Sequence, residues 1–213
     1  MLPRPWETIE AVDLTGFDLE DFPEITALPA RLVALADVLG MTVGRDAAGV
    51  AFAAFVGCLC NVAWTPDPDW HRKLGRVETF KFKQWPIVPR LHALRQYALF
   101  GRVAVHCEPQ YKSRAIGLVI KACSAFIEPA SSFWKLDQAK AWLEMAQARR
   151  TLKKNQPISR EALALLGDVQ LAHVQNAISK GDIDLDSARP EKIPAPAALK
   201  WLGKGRRYRP SEA

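Results

Sequence analysis

The chain contains few cysteines, four in 213 residues, and none has the paired spacing that a zinc site uses. They are Cys58, Cys60, Cys107 and Cys123. The first two lie in a run of alanine, phenylalanine, valine and leucine, where a free cysteine behaves as a small hydrophobic side chain. We therefore expect neither disulfides nor a bound metal ion.

Recognisable catalytic motifs are also lacking. The sequence has no phosphate-binding glycine loop, nucleophile elbow, zinc-protease helix or paired-carboxylate site. A polar cluster at residues 105–114 includes His106 and Glu108, which could perform acid–base chemistry but equally suit an exposed loop. The sequence predicts a protein that is not an enzyme and uses no cofactor.

No secretory signal is recognisable at the N-terminus, where Pro3 and Pro5 are followed by acidic residues. The most apolar segment, residues 46–64, approaches the ~18 residues that a membrane span requires. Alanine and glycine dominate it and Asn61 interrupts it, so a buried central helix fits better. We expect a cytoplasmic protein without membrane contact.

Charge is distributed unevenly along the chain. Residues 1–50 hold 3 basic and 9 acidic side chains, residues 51–150 hold 15 and 7, and residues 151–213 hold 11 and 7. The formal net charge is +6. A basic remainder behind an acidic start suits a protein that meets a polyanion, although a surface of mixed sign gives the same totals.

Apolar residues at helical spacing predict a mainly α-helical fold. Helices are expected over residues 28–39, 90–100, 113–127 and 136–154, with a break at 128–132. The inward-facing residues of the last three are Leu91, Leu94, Tyr97, Ala98, Ile116, Val119, Ile120, Cys123, Leu136, Ala139, Leu143 and Ala146. The basic end of the last helix, from Arg149 to Lys154, suits a helix C-terminus or a phosphate contact.

A domain boundary is predicted near Asn155–Pro157. Residues 1–154 would form a helical domain for dimerisation or partner contacts. Residues 155–213 would form a second, smaller domain with a basic tail.

Two short helices around a tight break are predicted in this second domain. Ser159 can cap the first helix, Gly167 can take the left-handed conformation, and Asp168 can cap the second helix. Val174 and its helical neighbours would pack on the first helix. The remaining residues of the second helix are mostly polar, and Gly181 ends it.

The segments His173–Ile183 and Ile193–Leu202 resemble the winged helix-turn-helix of the excisionase and MerR-like group. The resemblance covers about 50 residues. It implies that His173–Gly181 forms a recognition helix leading into a wing, and that Ile193–Leu202 forms the wing's return strand and the helix after it. The wing, residues 182–191, is acidic.

These features together predict a sequence-specific regulator that binds duplex DNA as a dimer. The candidate DNA-binding residues are Gln170, His173, Gln175, Asn176, Lys180, Arg206, Arg207 and Arg209. Amide side chains can bind adenine in pairs of hydrogen bonds, and arginines can contact phosphate or enter the minor groove. Two alternatives stay open, namely a protein–protein adaptor of phage or defence origin with the same fold, and a toxin or enzyme in residues 1–154 with an autoregulatory DNA-binding module.

Overall fold

The computed structural model describes residues 12–16, 18, 21–27, 41–42, 87–130, 135–185, 190–205 and 208–211. Within these ranges the fold is mainly α-helical, as the sequence predicts, with one two-stranded sheet. Besides two single turns, Pro23–Thr26 and Pro109–Tyr111, the elements are α1 (Ile87–Phe100), α2 (Lys112–Ala130), α3 (Asp137–Lys153), β1 (Ile158–Ser159), α4 (Arg160–Gly167), α5 (Leu171–Ser179), β2 (Lys192–Ile193) and α6 (Ala195–Lys204). The predicted helix at 28–39 and the apolar segment at 46–64 lie outside the described residues.

Helices α1, α2 and α3 pack together around the first of the two hydrophobic cores that the described residues form. All twelve inward-facing residues predicted for these helices are buried. Helix α1 begins at Ile87, three residues before the predicted start, and so includes Pro89 in its first turn. Proline is tolerated there because the first-turn amides have no acceptor within the helix.

Helix α2 continues to Ala130, so the predicted break at residue 128 is wrong by nearly one turn. Ile127 is buried in the first core, and its packing holds the last turn in helical conformation.

Residues near the N-terminus dock on these helices. Val12 forms an isolated antiparallel bridge with Val105. The Phe22 ring is buried and packs edge-on against Trp142, with ring centroids 5.4 Å apart. Next to Phe22, Asp21 forms an ion pair with Arg95 at 2.8 Å.

A single helical turn, Pro23–Thr26, brings an acidic cap to helix α3. The Glu24 carboxylate accepts hydrogen bonds from the backbone amides of Gln138 (2.7 Å) and Ala139 (3.3 Å). These amides belong to the first turn of α3, where a negative charge is favoured by the helix dipole. The N-terminal segment therefore supplies an acidic cap to the first turn of α3.

Helix α3 contributes to both hydrophobic cores. Its first three turns place Ala139 and Ala146 in the first core, whereas Ala148 and Leu152 belong to the second. Met145 packs against both. The domain boundary near residue 155 stays a prediction, and the structure adds that the helix before it supplies part of the second core.

The second core lies among α3, α4, α5, α6 and the small sheet. Strands β1 and β2 are antiparallel, with Ile158 opposite Ile193 and Ser159 opposite Lys192. The Ser159 hydroxyl accepts a hydrogen bond from the Ala162 amide (3.1 Å), which confirms the predicted cap of α4. The sheet thus joins the start of α4 to the start of α6.

The turn between α4 and α5 differs from the prediction. Asp168, not Gly167, takes the left-handed conformation, with φ 50°, and Gln170 is the N-cap residue of α5. The Asp168 and Val169 amides donate to the carbonyls of Leu165 and Ala164, which closes the end of α4. Aspartate tolerates this conformation better than most residues.

Gly167 serves packing instead. A Cβ atom at this position would lie 3.1 Å from the ring of Trp201, on α6. The glycine therefore allows α4 and α6 to approach closely.

Candidate nucleic-acid interface

Helix α5 packs on α4 through one face. Val174 and Ala177 are buried, and Ile178 is half-buried beside them. This confirms the predicted apolar stripe. With about 3.6 residues per turn, the side chains of Ala172, Gln175, Asn176 and Ser179 then occupy the opposite face. All four are exposed.

The five predicted DNA-binding residues of this segment are all solvent-exposed. Gln170 stands at the N-terminal end of α5 and Lys180 at its C-terminal end, while Gln175 and Asn176 lie on the outer face. His173 lies at the flank, with its ring centroid 6.1 Å from that of Trp201. The structure thus brings these side chains to one exposed helix, with amides at its centre and a cation at its end.

Exposed apolar residues accompany this polar face. Leu171 is 36% exposed at the start of α5, and Leu199 is 41% exposed on α6. Both belong to the same part of the fold, since α5 and α6 share the second core.

The segment predicted to form an acidic wing, residues 182–191, is described in part. Asp182, Asp184 and Glu191 are exposed, whereas Ile183 is buried in the second core. The guanidinium of Arg160 donates a hydrogen bond to the Pro190 carbonyl (2.9 Å). This bond holds the segment that leads into β2 close to the start of α4.

Among the predicted arginines of the tail, Arg206 and Arg207 lie outside the described residues, whereas Arg209 is described. Residues 208–211, which we call the C-terminal strap, pack against α1 and α3. The Arg209 guanidinium carbon lies 5.6 Å from the centre of the Phe100 ring, and Arg209 is exposed.

Arg149 holds this strap, a role that the sequence analysis missed. Its side chain is only 2% exposed, so it is not available for the phosphate contact that the basic end of this helix suggests. Its Nε donates to the Ala98 carbonyl (2.8 Å), one Nη to the Leu99 carbonyl (3.3 Å), and the other Nη to the Arg209 carbonyl (2.6 Å). The buried stripe of α3 gave a signal, because Arg149 follows Ala146 by three residues.

Aromatic side chains surround this guanidinium. Its carbon lies 4.8 Å from the centre of the Tyr208 ring. Burial lowers the pKa of Arg149, and the neighbouring Tyr208 and Tyr97 oppose that shift. Burial also raises the pKa of Tyr208. The guanidinium therefore joins the end of α1, helix α3 and the strap in one desolvated contact.

A cleft of about 630 Å³ runs from the C-terminal end of α1, against which the strap packs, to the start of α5. Its lining residues are Leu99, Phe100, Met145, Arg149, Ala164, Leu165, Leu166, Asp168, Val169 and Gln170. Arg209 lies over the ring of Phe100, and Gln170 is the N-cap residue of α5. Phe100 and Gln170 therefore border the same cleft.

The polar cluster at 105–114 contributes to a smaller hollow of about 360 Å³. Asp13, His106 and Lys112 are among its lining residues. Glu108 is not, and its exposed carboxylate instead accepts a hydrogen bond from the Gln110 amide (2.7 Å). The structure thus does not bring Glu108 and His106 together in this hollow. Within the described ranges no three potential metal ligands cluster.

In the part of the chain that the structure describes, no helix has the length and apolar character needed to cross a membrane.

Comparison with known proteins gives no family model, no curated protein and no solved structure that matches this chain.

Proposed function

We propose that this protein binds duplex DNA through helix α5 and acts as a sequence-specific transcription regulator. One observation carries the proposal. The outer face of α5 presents Gln175 and Asn176 to solvent while its opposite face is fixed by Val174 and Ala177. A single exposed helix held rigidly on a small core can enter the major groove, which is about 12 Å wide.

The chemistry of this face suits base recognition. Glutamine and asparagine amides can each donate to and accept from adenine in the major groove. Lys180 at the end of α5 can reach a guanine edge or a phosphate, and His173 and Gln170 can extend the contact at the flank and the start. In the proposal, Gln175 and Asn176 carry most of the sequence preference.

Phosphate contacts would come from the basic tail, namely Arg206, Arg207 and Arg209. Arginine binds phosphate with two parallel hydrogen bonds and enters narrow minor grooves readily. Such contacts add affinity without sequence preference. The proposal includes action in the cytoplasm as a homodimer, since a single small reading module binds weakly and two copies would read two half-sites.

A protein–protein adaptor is the second candidate. It is favoured by the exposed side chains of Leu171 and Leu199, and by the acidic residues Asp182 and Asp184 near the end of α5. Acidic groups repel phosphate, and exposed apolar side chains suit a protein partner.

Selection from a random duplex pool with the whole chain, at 50 and 200 mM salt, separates the candidates. DNA binding predicts an enriched sequence and an affinity that falls steeply with salt. A repeated half-site would establish the dimer. Absence of binding at 50 mM salt would contradict the DNA proposal and leave the adaptor.

Substitution then tests the residues. Changing both Gln175 and Asn176 to alanine should cost about 1–3 kcal/mol of discrimination for each lost base contact, with little effect on binding to random sequence. Gln147→Ala is the matched control, because Gln147 is an exposed amide that lies on α3 and not on α5. Equal losses in the control and the double variant would argue against α5 as the reading helix.

A further inference from the structure

We infer that Arg149 is a positioning residue that fixes the C-terminal strap so that Arg209 meets a phosphate of the same duplex that α5 reads. The inference rests on the proposed function and adds a second, preorganised contact to it. Four sets of contacts support it.

The first is the hydrogen bonding of Arg149. The same guanidinium donates to the Ala98 and Leu99 carbonyls of α1 and to the Arg209 carbonyl of the strap. The carbonyls at the end of α1 have no helical amide to pair with, so the guanidinium satisfies groups that would otherwise need water. One side chain of α3 therefore fixes the helix end and the strap together.

The second is the close approach of the strap to Gly101. A Cβ atom on this residue would lie 2.7 Å from the Pro210 carbonyl oxygen and 2.9 Å from Cα of Ser211. Both are backbone atoms, which cannot move aside as a flexible side chain can. Gly101 also has φ +71°, the left-handed region that favours glycine. The strap can lie in this place only against a glycine.

The third is aromatic packing at the two sides of the strap. Tyr208 covers the Arg149 guanidinium, and Arg209 lies over the ring of Phe100. A guanidinium placed over an aromatic ring keeps its N–H groups at its edge, where they can donate to phosphate. Phe100 holds the Arg209 guanidinium without occupying the donors that a phosphate would use.

The fourth is the cleft that links the two contacts. Phe100 and Gln170 both line it, so the ring over which Arg209 lies and the start of α5 border the same cleft. Holding Arg209 in place before binding removes part of the entropy cost that a loose basic tail would have. The strap would in this way let the N-terminal helices contribute to DNA affinity without touching DNA themselves.

Glycine substitutions provide the test. Gly101→Ala introduces a left-handed alanine and collides with the strap. Gly16→Ala is the matched control, because Gly16 has the same φ of +71° and no atom within 4 Å of a built Cβ. Arg149→Met leaves Gly101 unchanged and instead removes the hydrogen bonds that the guanidinium donates to the strap and to the end of α1. Release of the strap is read by hydrogen–deuterium exchange of the C-terminal peptide, which should become about ten-fold faster in Gly101→Ala and Arg149→Met only.

DNA binding of the same variants gives the second readout. Each phosphate contact adds about 0.9 to the salt slope, so losing one should shrink the affinity decrease between 50 and 200 mM salt by about 3.5-fold. We expect this change for Arg209→Ala, Gly101→Ala and Arg149→Met, but not for Gly16→Ala. In a chain that already carries Arg209→Ala, adding Gly101→Ala should change the slope no further. If Gly101→Ala acted through a general loss of structure, it would still weaken DNA binding in the chain that carries Arg209→Ala.

The outcomes distinguish the two proposals. A strap released by Gly101→Ala with the wild-type salt slope retained would overturn the role of the strap alone. The same follows if Gly101→Ala weakens binding equally with and without Arg209, or if exchange of the C-terminal peptide is unchanged. A wild-type chain that binds no duplex at 50 mM salt would overturn the proposed function, and the contact assigned to Arg209 with it.

Discussion

Arg149 and His92 are the two basic side chains that the structure buries most completely among the residues it describes. The free-energy cost of burying the Arg149 charge is offset because its guanidinium donates hydrogen bonds to three backbone carbonyls. Buried charge without such acceptors costs several kcal/mol. A charged residue in the register of a buried stripe is therefore a structural signal in its own right.

We expect His92 to make the stability of the protein depend on pH. Its side chain is fully buried on α1, and burial lowers its pKa below the ordinary 6.5, with the charge of Arg95 acting in the same direction. The nearby carboxylates of Asp13 and Asp21 oppose the shift without cancelling it. The folded protein therefore holds this histidine neutral where the unfolded chain would already take up a proton.

The sign of the effect follows from proton linkage. The contribution of His92 is fully present above pH 6.5 and is lost as the pH falls below 6.5 towards the lower, folded pKa. We expect the free energy of unfolding, measured in urea between pH 7.5 and 5, to fall less steeply in His92→Gln than in the wild type. Glutamine keeps a polar group in place but does not titrate. Parallel curves for the two proteins would show that His92 does not carry this dependence.

At the scale of elements, two glycines on neighbouring helices have opposite roles. Gly167 lies at the end of α4 with the Trp201 ring 3.1 Å from a built Cβ, whereas Gly203 lies near the end of α6 with nothing within 4 Å. Alanine is favoured over glycine in a helix by about 0.5–1 kcal/mol. That gain is available only where the Cβ has room.

We therefore expect Gly203→Ala to raise the free energy of unfolding by about 0.5 kcal/mol and Gly167→Ala to lower it. The measurement is urea unfolding of the two variants beside the wild type. A gain of equal size in both would mean that the approach of α4 and α6 is looser than the structure has it.

The buried and exposed faces of the helices can be predicted from the sequence, because they depend on the local periodicity of apolar residues. The inner stripe of α3 and the buried face of α5 repeat every three to four residues, so their burial was predictable. The exposed positions of Gln175 and Asn176 follow from the same stripe. Ser159 was recognised as a cap because its partner amide lies three residues away.

Contacts between distant segments were not predictable in this way. The role of Gly167 depends on Trp201, 34 residues later in the chain. Glu24 caps a helix 114 residues away, and Arg149 holds a carbonyl 60 residues away. The register of α3 can indicate that Arg149 is buried, but no local pattern indicates which residue it will meet across such distances. The contact between Arg149 and the strap therefore comes from the structure alone.

On the scale of the whole molecule, helix α3 joins the two cores. Its side chains Ala148 and Leu152 are 5% and 3% exposed and belong to the second core, together with the half-buried Met145. Burying a leucine and an alanine contributes about 3 kcal/mol. A module that begins at residue 155 lacks these residues, and a fragment of that size is only marginally stable without help.

Fragments that start on either side of α3 test where the folding unit ends. We expect residues 137–213 to be helical and to unfold cooperatively in urea, and residues 155–213 to be largely unfolded by far-ultraviolet circular dichroism. Leu152→Ala in the longer fragment should cost about 2–5 kcal/mol, because it leaves a cavity between α3 and the second core. A shorter fragment with equal helicity and a cooperative transition would place the boundary near residue 155, where the composition of the sequence puts it.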